Sequence, residues 1–233
     1  MNNILKKICD KKRVEIEETK KKCSYNSLKK ILTKKFPKRN FKKLLFDSQK
    51  NKKNNIIAEI KKASPSAGII VKDYYPENIA IDYERSGIGA ISVLTEKNFF
   101  MGNLEHLSLI NQKTNLPILR KDFIIDPYQI LESKIYKADA VLLIASLLND
   151  NEIKNYISLA QKYDLDCLIE THTEDEIERA IKIGYPIIGI NNRNLNDLSV
   201  NTNNTLKLVN KVPNNFIIIA ESGIKSKNEI IEY

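Results

Sequence analysis

The sequence predicts a parallel α/β barrel, and three observations lead to that fold. Short apolar runs recur at intervals of 21–34 residues, centred near Ala58, Ser92, Leu119, Leu143, Leu168, Gly189 and Ile218. Amphipathic stretches at 77–86, 126–137, 150–163, 174–183 and 202–211 fill most of the intervals. Several runs end in charged or amide side chains: IIAEIKK (56–62), LPILRKDF (116–123), CLIE (167–170), IIGINNR (187–193) and FIIIAESG (216–223). Strands alternating with helices make right-handed βαβ units around a parallel sheet. Such a barrel gathers the residues at the C-terminal ends of its strands around one mouth.

Taken in order, the chain starts with helical spacing: Ile4, Leu5 and Ile8, then Val14 and Ile16, set among charges over 3–21. A second apolar set, Leu28, Ile31 and Leu32 followed by Phe41, Leu44, Leu45 and Phe46, is broken by Pro37. Residues 1–50 therefore read as a basic helical extension, with Ile4, Leu5 and Ile8 packed inward, and 51–233 as the barrel. Seven strand–helix units are countable, whereas a closed barrel has eight. The chain stops at Tyr233, inside what should be the seventh helix. The expected architecture is a (β/α)8 barrel without its eighth strand and helix. Its first and seventh strands would then face an open slot with unpaired backbone groups, which weakens stability.

Composition narrows the function. A length of 233 residues and an apolar fraction of 42% suit one barrel domain. The longest nearly apolar stretch, 140–148, is far short of the ~20 residues of a membrane span. No signal-peptide pattern opens the chain. Cys9, Cys23 and Cys167 form neither a metal spacing nor an even disulfide set, which fits a reducing cytoplasm. No metal or nucleotide motif is present. The net charge of +9 is uneven: residues 1–55 hold 19 Lys and Arg against 5 Asp and Glu. Basic arms can bind nucleic acid, but no aromatic or glycine pattern accompanies these lysines, so solvated helix faces are expected instead.

The strand ends carry the chemistry, each with a plainer alternative. Glu59 and Lys61 point the same way along a strand. They are either a surface ion pair or two charges put to use in a cavity. Lys121 is either a surface lysine or an acid with a lowered pKa. Glu170 is either a carboxylate near a helix N-terminus or a base. Arg193, after Asn191, can grip an anion bidentately or pair with Asp197. The Glu221-Ser222-Gly223 turn is structural, or together with the helix beyond it holds a phosphate. His106 and His172 lack partners at ligand spacing and read as ordinary polar residues.

Together these segments resemble indole-3-glycerol phosphate synthase, a tryptophan-pathway family. The resemblance runs through IIAEIKKASPSAG (56–68), IAIDYERSGIGAISVLTEKNFFMG (79–102), PILRKDFIIDPYQI (117–130), ADAVLLIASLL (138–148), LIETHTEDE (168–176), IGINNRNL (188–195) and IAESGI (219–224). It implies a barrel of the ribulose-phosphate-binding type. The implied activity is ring closure of 1-(2-carboxyphenylamino)-1-deoxyribulose 5-phosphate with loss of CO2 and water, without metal or organic cofactor. Matched position by position, Lys121 resembles the acid that protonates the ketone and Glu170 the base for dehydration. Lys61 is similar to the second lysine, near the substrate carboxylate. Glu59, Asn191 and Glu221 resemble the groups that orient the lysines and hydroxyls. Ser64 and Arg193 fall on the substrate's polar periphery, and Phe100, Phe123, Leu142 and Leu195 on the apolar walls. Ser222 and Gly223 match half of the phosphate site. The resemblance also implies an anionic, phosphorylated small-molecule substrate and association with other enzymes of the pathway. It implies no nucleic-acid or membrane partner. Rival readings are phosphoribosylanthranilate isomerase, which would rely on a carboxylate/cysteine pair, and a non-catalytic relic of the synthase.

Overall fold

A computed structural model of the protein describes residues 4–33, 38–195 and 197–232, with the side chains of Lys227 and Glu232 left aside. Helices α1 (Ile4–Lys22), α2 (Tyr25–Ile31) and α3 (Phe41–Lys50) come first. They are followed by β1 (Ile57–Ile60), a small ribbon of β2 (Ala63–Ser64) and β3 (Gly68–Ile69), and α4 (Pro76–Arg85). Next come β4 (Ala90–Leu94), α5 (Lys97–Phe100), α6 (Glu105–Asn111), β5 (Ile118–Lys121), α7 (Pro127–Ile135), β6 (Ala140–Ile144) and α8 (Asp150–Lys162). The chain continues through β7 (Asp166–Thr171), α9 (Glu174–Ile183), β8 (Ile187–Asn191), α10 (Asn203–Leu208), β9 (Ile217–Glu221) and α11 (Lys227–Glu232).

Seven parallel strands form one curled sheet in the order β1-β4-β5-β6-β7-β8-β9, so each strand lies beside its sequence neighbour in the barrel. Among the described residues β1 and β9 are its two edges. Every predicted strand centre falls within a strand. Buried parallel strands read as continuous apolar runs because helices cover their outer face. AISVL in β4 and AVLLI in β6 are buried at every position.

Local chemistry sets the helix ends. Asp126 and Gln129 form a capping box at α7, with Pro127 in its first turn, and Asn149 and Glu152 form another at α8. Thr173 caps α9, whose first turn is acidic, and Gly184 ends it at φ 82°.

The N-terminal helices run along the outside of the barrel from one end to the other. At the C-terminal mouth, buried Lys12 of α1 pairs with Asp122 at 3.1 Å, and Lys20 pairs with Asp126 at 2.7 Å. At the opposite end Lys38 pairs with Asp166 at 2.8 Å, and the Lys42 N–H donates to the same carboxylate. Gln49 of α3 reaches the Phe216 carbonyl ahead of β9. Ile8 packs inward as expected, with Ile4 and Leu5 partly buried, and Ile16 is buried as well. Val14 and Ile31 face solvent instead, because Cys9, Lys12 and Leu28 occupy the inner face of their turns. The break expected at Pro37 lies outside the described residues.

Several of the extension's lysines are thus spent on barrel carboxylates, and others pair within their own helix, as Lys6 does with Asp10 and Lys43 with Asp47. The other described lysines, such as Lys7, Lys21, Lys22, Lys30 and Lys50, lie exposed on helix faces as separate charges, with no aromatic platform or groove among them to track a phosphate backbone. Binding to unrelated duplex DNA at physiological salt is expected to be weaker than micromolar. Submicromolar, salt-sensitive retention in a gel-shift titration would contradict this.

Candidate active site

Residues at one level of the sheet project their side chains into the same space, because parallel register keeps paired residues on one face. Glu170 is in register with Ile144 and Gly189, Asn191 with Glu221, and Lys121 with Leu94. The inner face of the strands therefore carries Lys121, Glu170, Asn191 and Glu221 at its C-terminal end. Ala140, Leu142 and Leu168 form an apolar floor beneath.

Lys121 is the hub. Its Nζ lies 3.1 Å from Glu170 Oε2 and 2.8 Å from Glu221 Oε2. Glu59 adds a longer-range attraction from β1 and is itself hydrogen-bonded to Lys61. The structure brings these charges together, although they are spread over more than 160 residues of sequence, from Glu59 to Glu221. The expectation of a lowered lysine pKa is reversed. Burial opposes the ammonium, but the pull of Glu170 and Glu221 outweighs it and holds Lys121 above the ordinary lysine value.

The two carboxylates are not equivalent. Glu170 is held well below the usual carboxylate range by Lys121 and by His172, against a desolvation that acts the other way. Glu221 is pushed up to about 7, first by burial and then by the charge of Glu170, with Lys121 only partly offsetting these. Glu221 Oε1 is buried with no hydrogen-bond partner. It is accommodated by Gly189: a Cβ there would lie 2.0 Å from Glu221 Oε1. Gly189→Ala is therefore expected to displace Glu221, detach it from Lys121, and lower turnover at least about tenfold with the fold retained. Turnover within twofold of the parent would count against this packing.

The remaining predicted residues are scattered around this cluster. Asn191 is buried, and its Oδ1 accepts from the Arg193 N–H at 2.9 Å. The Arg193 guanidinium donates to the Leu198 carbonyl at 2.7 Å, and Asp197 bonds Ser199 instead, so the alternative Arg193–Asp197 pair is absent. Phe100 and Phe123 stand with ring centroids 6.2 Å apart, and Leu195 is partly buried against the core. Ser64 lies in the ribbon with its Oγ accepting from the Ala67 N–H. Ser222 and Gly223 form a left-handed turn past β9, at φ 67° and 85°. The helix beyond starts only at Lys227. Its lead-in N–H groups, from Lys225 and Ser226, donate to Glu229 at 2.6 and 2.8 Å. The Glu229 carboxylate thus engages the N–H groups that lead into this short helix.

Three features were missed. Glu96, fully buried, accepts from the N–H groups of Asn98, Phe99 and Phe100 and so fixes the short helix carrying the aromatic wall. Arg120, on the outer face beside Lys121, anchors a buried ionic network with Asp122, Glu132 and Lys12. His172, read as isolated, lies 3.3 Å from Glu170 and 3.2 Å from Glu176. Its place two residues beyond Glu170, with Glu176 four further on, was the available signal.

The family model for indole-3-glycerol phosphate synthase matches residues 5–233. The chain belongs to the indole-3-glycerol phosphate synthase family. It is similar to the indole-3-glycerol phosphate synthase of Campylobacter jejuni subsp. doylei, at 47% identity over 232 residues, covering 99% of this chain and 88% of that one. Another similar protein is the indole-3-glycerol phosphate synthase of Acetivibrio thermocellus, 53% identical over 182 residues, or 76% of this chain and 70% of that one. Among solved structures, an N-acetylmannosamine-6-phosphate 2-epimerase from Clostridium perfringens superposes with a TM-score of 0.57 at 16% identity. That match covers 76% of this chain and 80% of the epimerase, and shows a shared fold alone.

Proposed function

We propose that the chain converts 1-(2-carboxyphenylamino)-1-deoxyribulose 5-phosphate into indole-3-glycerol phosphate, CO2 and water. The observation that carries this reading is one buried ammonium, Lys121, held between two carboxylates of unequal proton affinity at the mouth. Pairs of titratable groups pushed apart in this way mark acid and base roles. In the reaction the ring carbon bearing the carboxylate attacks the ketone carbon, and Lys121 gives a proton to the ketone oxygen. Loss of CO2 returns the bonding electrons to the ring. Glu170 then takes a proton from the carbon beside the ring nitrogen while the Lys61 ammonium gives one to the hydroxyl, which leaves as water.

Lys121 releases its proton more readily once either carboxylate turns to a substrate hydroxyl, since each of them holds the ammonium charged. Lys61, steered by Glu59, faces the substrate carboxylate, and Asn191 and Glu221 orient the hydroxyls. Phe100, Phe123, Leu142 and Leu195 enclose the aromatic ring. Ser64 and Arg193 take the polar periphery, and the Ser222–Gly223 turn takes the phosphate. Residues 1–50 act as a strap on a barrel of residues 51–233. A cytoplasmic site and association with neighbouring pathway enzymes complete the reading, the first supported by three free thiols. Among the described residues no helix is long and apolar enough to cross a membrane.

The isomerase alternative finds no support in the cysteines. Cys167 pairs in register with Val141 on the outer face of the sheet, and burial pushes its thiol up. Incubation with the carboxyphenylamino substrate should release CO2 in step with a new indole chromophore. Substrate turnover without CO2, or none at saturating substrate, would overturn the proposal.

A further inference from the structure

Two carboxylates that share one ammonium compete for it, and nothing in that pair alone decides which stays ionised. The asymmetry at this mouth has a source. His172 follows the end of β7, two residues beyond Glu170, and its side chain is only 11% exposed. Its Nδ1 lies 3.2 Å from Glu176 Oε2, which also accepts the His172 backbone N–H at 2.7 Å. Asn204 of α10 donates to the His172 carbonyl, so the residue is held from two helices. The other ring nitrogen, Nε2, is buried 3.3 Å from Glu170 Oε1, out of line for a hydrogen bond and with no other acceptor. Glu170 therefore has Lys121 on one oxygen and an imidazole on the other.

We propose that His172 is a positioning residue for Glu170: clamped by Glu176 as an imidazolium, it keeps the Glu170 carboxylate ionised and turned towards Lys121. The inference rests on the reading of Glu170 as the base. The charged groups around His172 are Glu170 on β7 and Glu176 on α9, with Lys121 and Glu221 on the far side of the Glu170 carboxylate. Burial disfavours the imidazolium, but the two adjoining carboxylates outweigh it and raise His172 to about 9. With a second cation beside it, Glu170 keeps its charge, and the shared proton settles on Glu221 instead. A histidine serving only to clip the start of α9 would need Glu176 alone, and its Nε2 would have no reason to be buried against Glu170.

The chain has only two histidines, which makes the test direct. His106 is stacked edge-on against Tyr74 at 5.4 Å, and burial lowers its pKa. An NMR titration of the unmodified protein should show one imidazole with a midpoint near 9 and the other below the ordinary histidine value, the two assigned with His106→Gln. A midpoint for His172 at or below that ordinary value overturns the proposal, even if every variant at this position fails to fold. In His172→Gln the proton that sits on Glu221 up to about pH 7 can pass to Glu170 instead, so below that pH the base is partly protonated. A base must be ionised to act, so the acid limb of kcat should move to higher pH. The variant should lose at least about twofold more turnover at pH 6 than at pH 8, relative to the parent. Glu176→Gln should shift the limb the same way by less, and His172→Lys should restore it. Equal losses at both pH values would overturn the positioning role. Glu170→Gln separates the two readings: if that variant keeps its turnover, the base assignment itself fails, whatever His172 does.

Discussion

Replacing Lys121 by alanine is expected to lower turnover by about 10²–10⁴-fold, the usual cost of a missing proton donor. Among the described residues Lys121 is the one cation within contact distance of both Glu170 and Glu221. Removing it leaves two buried carboxylates facing each other, one of which must take up a proton. The variant therefore loses its acid and blunts its base together. Lys121→Arg separates charge from proton donation. A guanidinium keeps the ion pairs but does not release a proton near neutral pH. It should fold as the parent does and still be impaired by at least about 10²-fold. Near-parental turnover in either variant, measured as CO2 release, would remove Lys121 from the mechanism.

The largest effect on stability is expected one residue earlier. Arg120 is fully buried on the outer face of β5. Its guanidinium donates to Asp122 at 2.9 Å, Glu132 at 2.9 Å, Thr95 at 3.2 Å, Ser133 at 3.1 Å and the Gln129 carbonyl at 3.1 Å. Arg120→Leu fills much of the volume but strands Glu132 and leaves Asp122 with Lys12 as its cation, beside the Thr95 hydroxyl and the Phe123 N–H. Breaking a buried pair on one side costs about 3–5 kcal/mol. That is a large share of a total near 5–15 kcal/mol. A drop in Tm of roughly 6–20 °C follows for a domain of this size. Lys12→Met should cost less, since Asp122 keeps Arg120. The network also fixes an acid response. Asp122 is held at about 2 by Lys12 and Arg120 against burial, so its contribution is complete above the unfolded carboxylate value and fades as pH falls from about 4 to 2. A thermal scan in which Arg120→Leu melts within about 2 °C of the parent would show that the network is not what holds this face together.

The architecture was legible because periodicity reports it directly. Buried parallel strands and amphipathic helices have different apolar spacing, and all seven strand centres were found from that alone. The site was half legible. Parity put Glu59 and Lys61 on one face, since side chains two apart share it, and the ends of apolar runs picked out Lys121, Glu170 and Glu221. Their partners were not legible, because pairing across strands depends on register and curl. Lys121 meeting Glu221 spans 100 residues and leaves no local trace. The direction of the Lys121 shift failed for the same reason: one carboxylate would have been a guess, and two reverse the sign. Gly189 carries no local sign that the Glu221 carboxylate fills the place of its missing Cβ. Lys12 was lost among 38 basic residues, since nothing in helical spacing distinguishes a buried lysine from a solvated one.

The strap that joins the two ends of the barrel also sets an order of events during synthesis. Its anchors lie far downstream: Lys12 waits for Asp122, 110 residues later, Lys38 for Asp166, 128 later, and Gln49 for Phe216, 167 later. At about 5–20 residues per second the first of these partners leaves the ribosome roughly 5–20 s after the helix that needs it. Until then the apolar faces around Ile8, Ile16 and Phe41 lack much of the barrel that covers them. The helices are thus made well before the barrel they fasten to, and during that interval the nascent chain offers chaperones an amphipathic, strongly basic stretch.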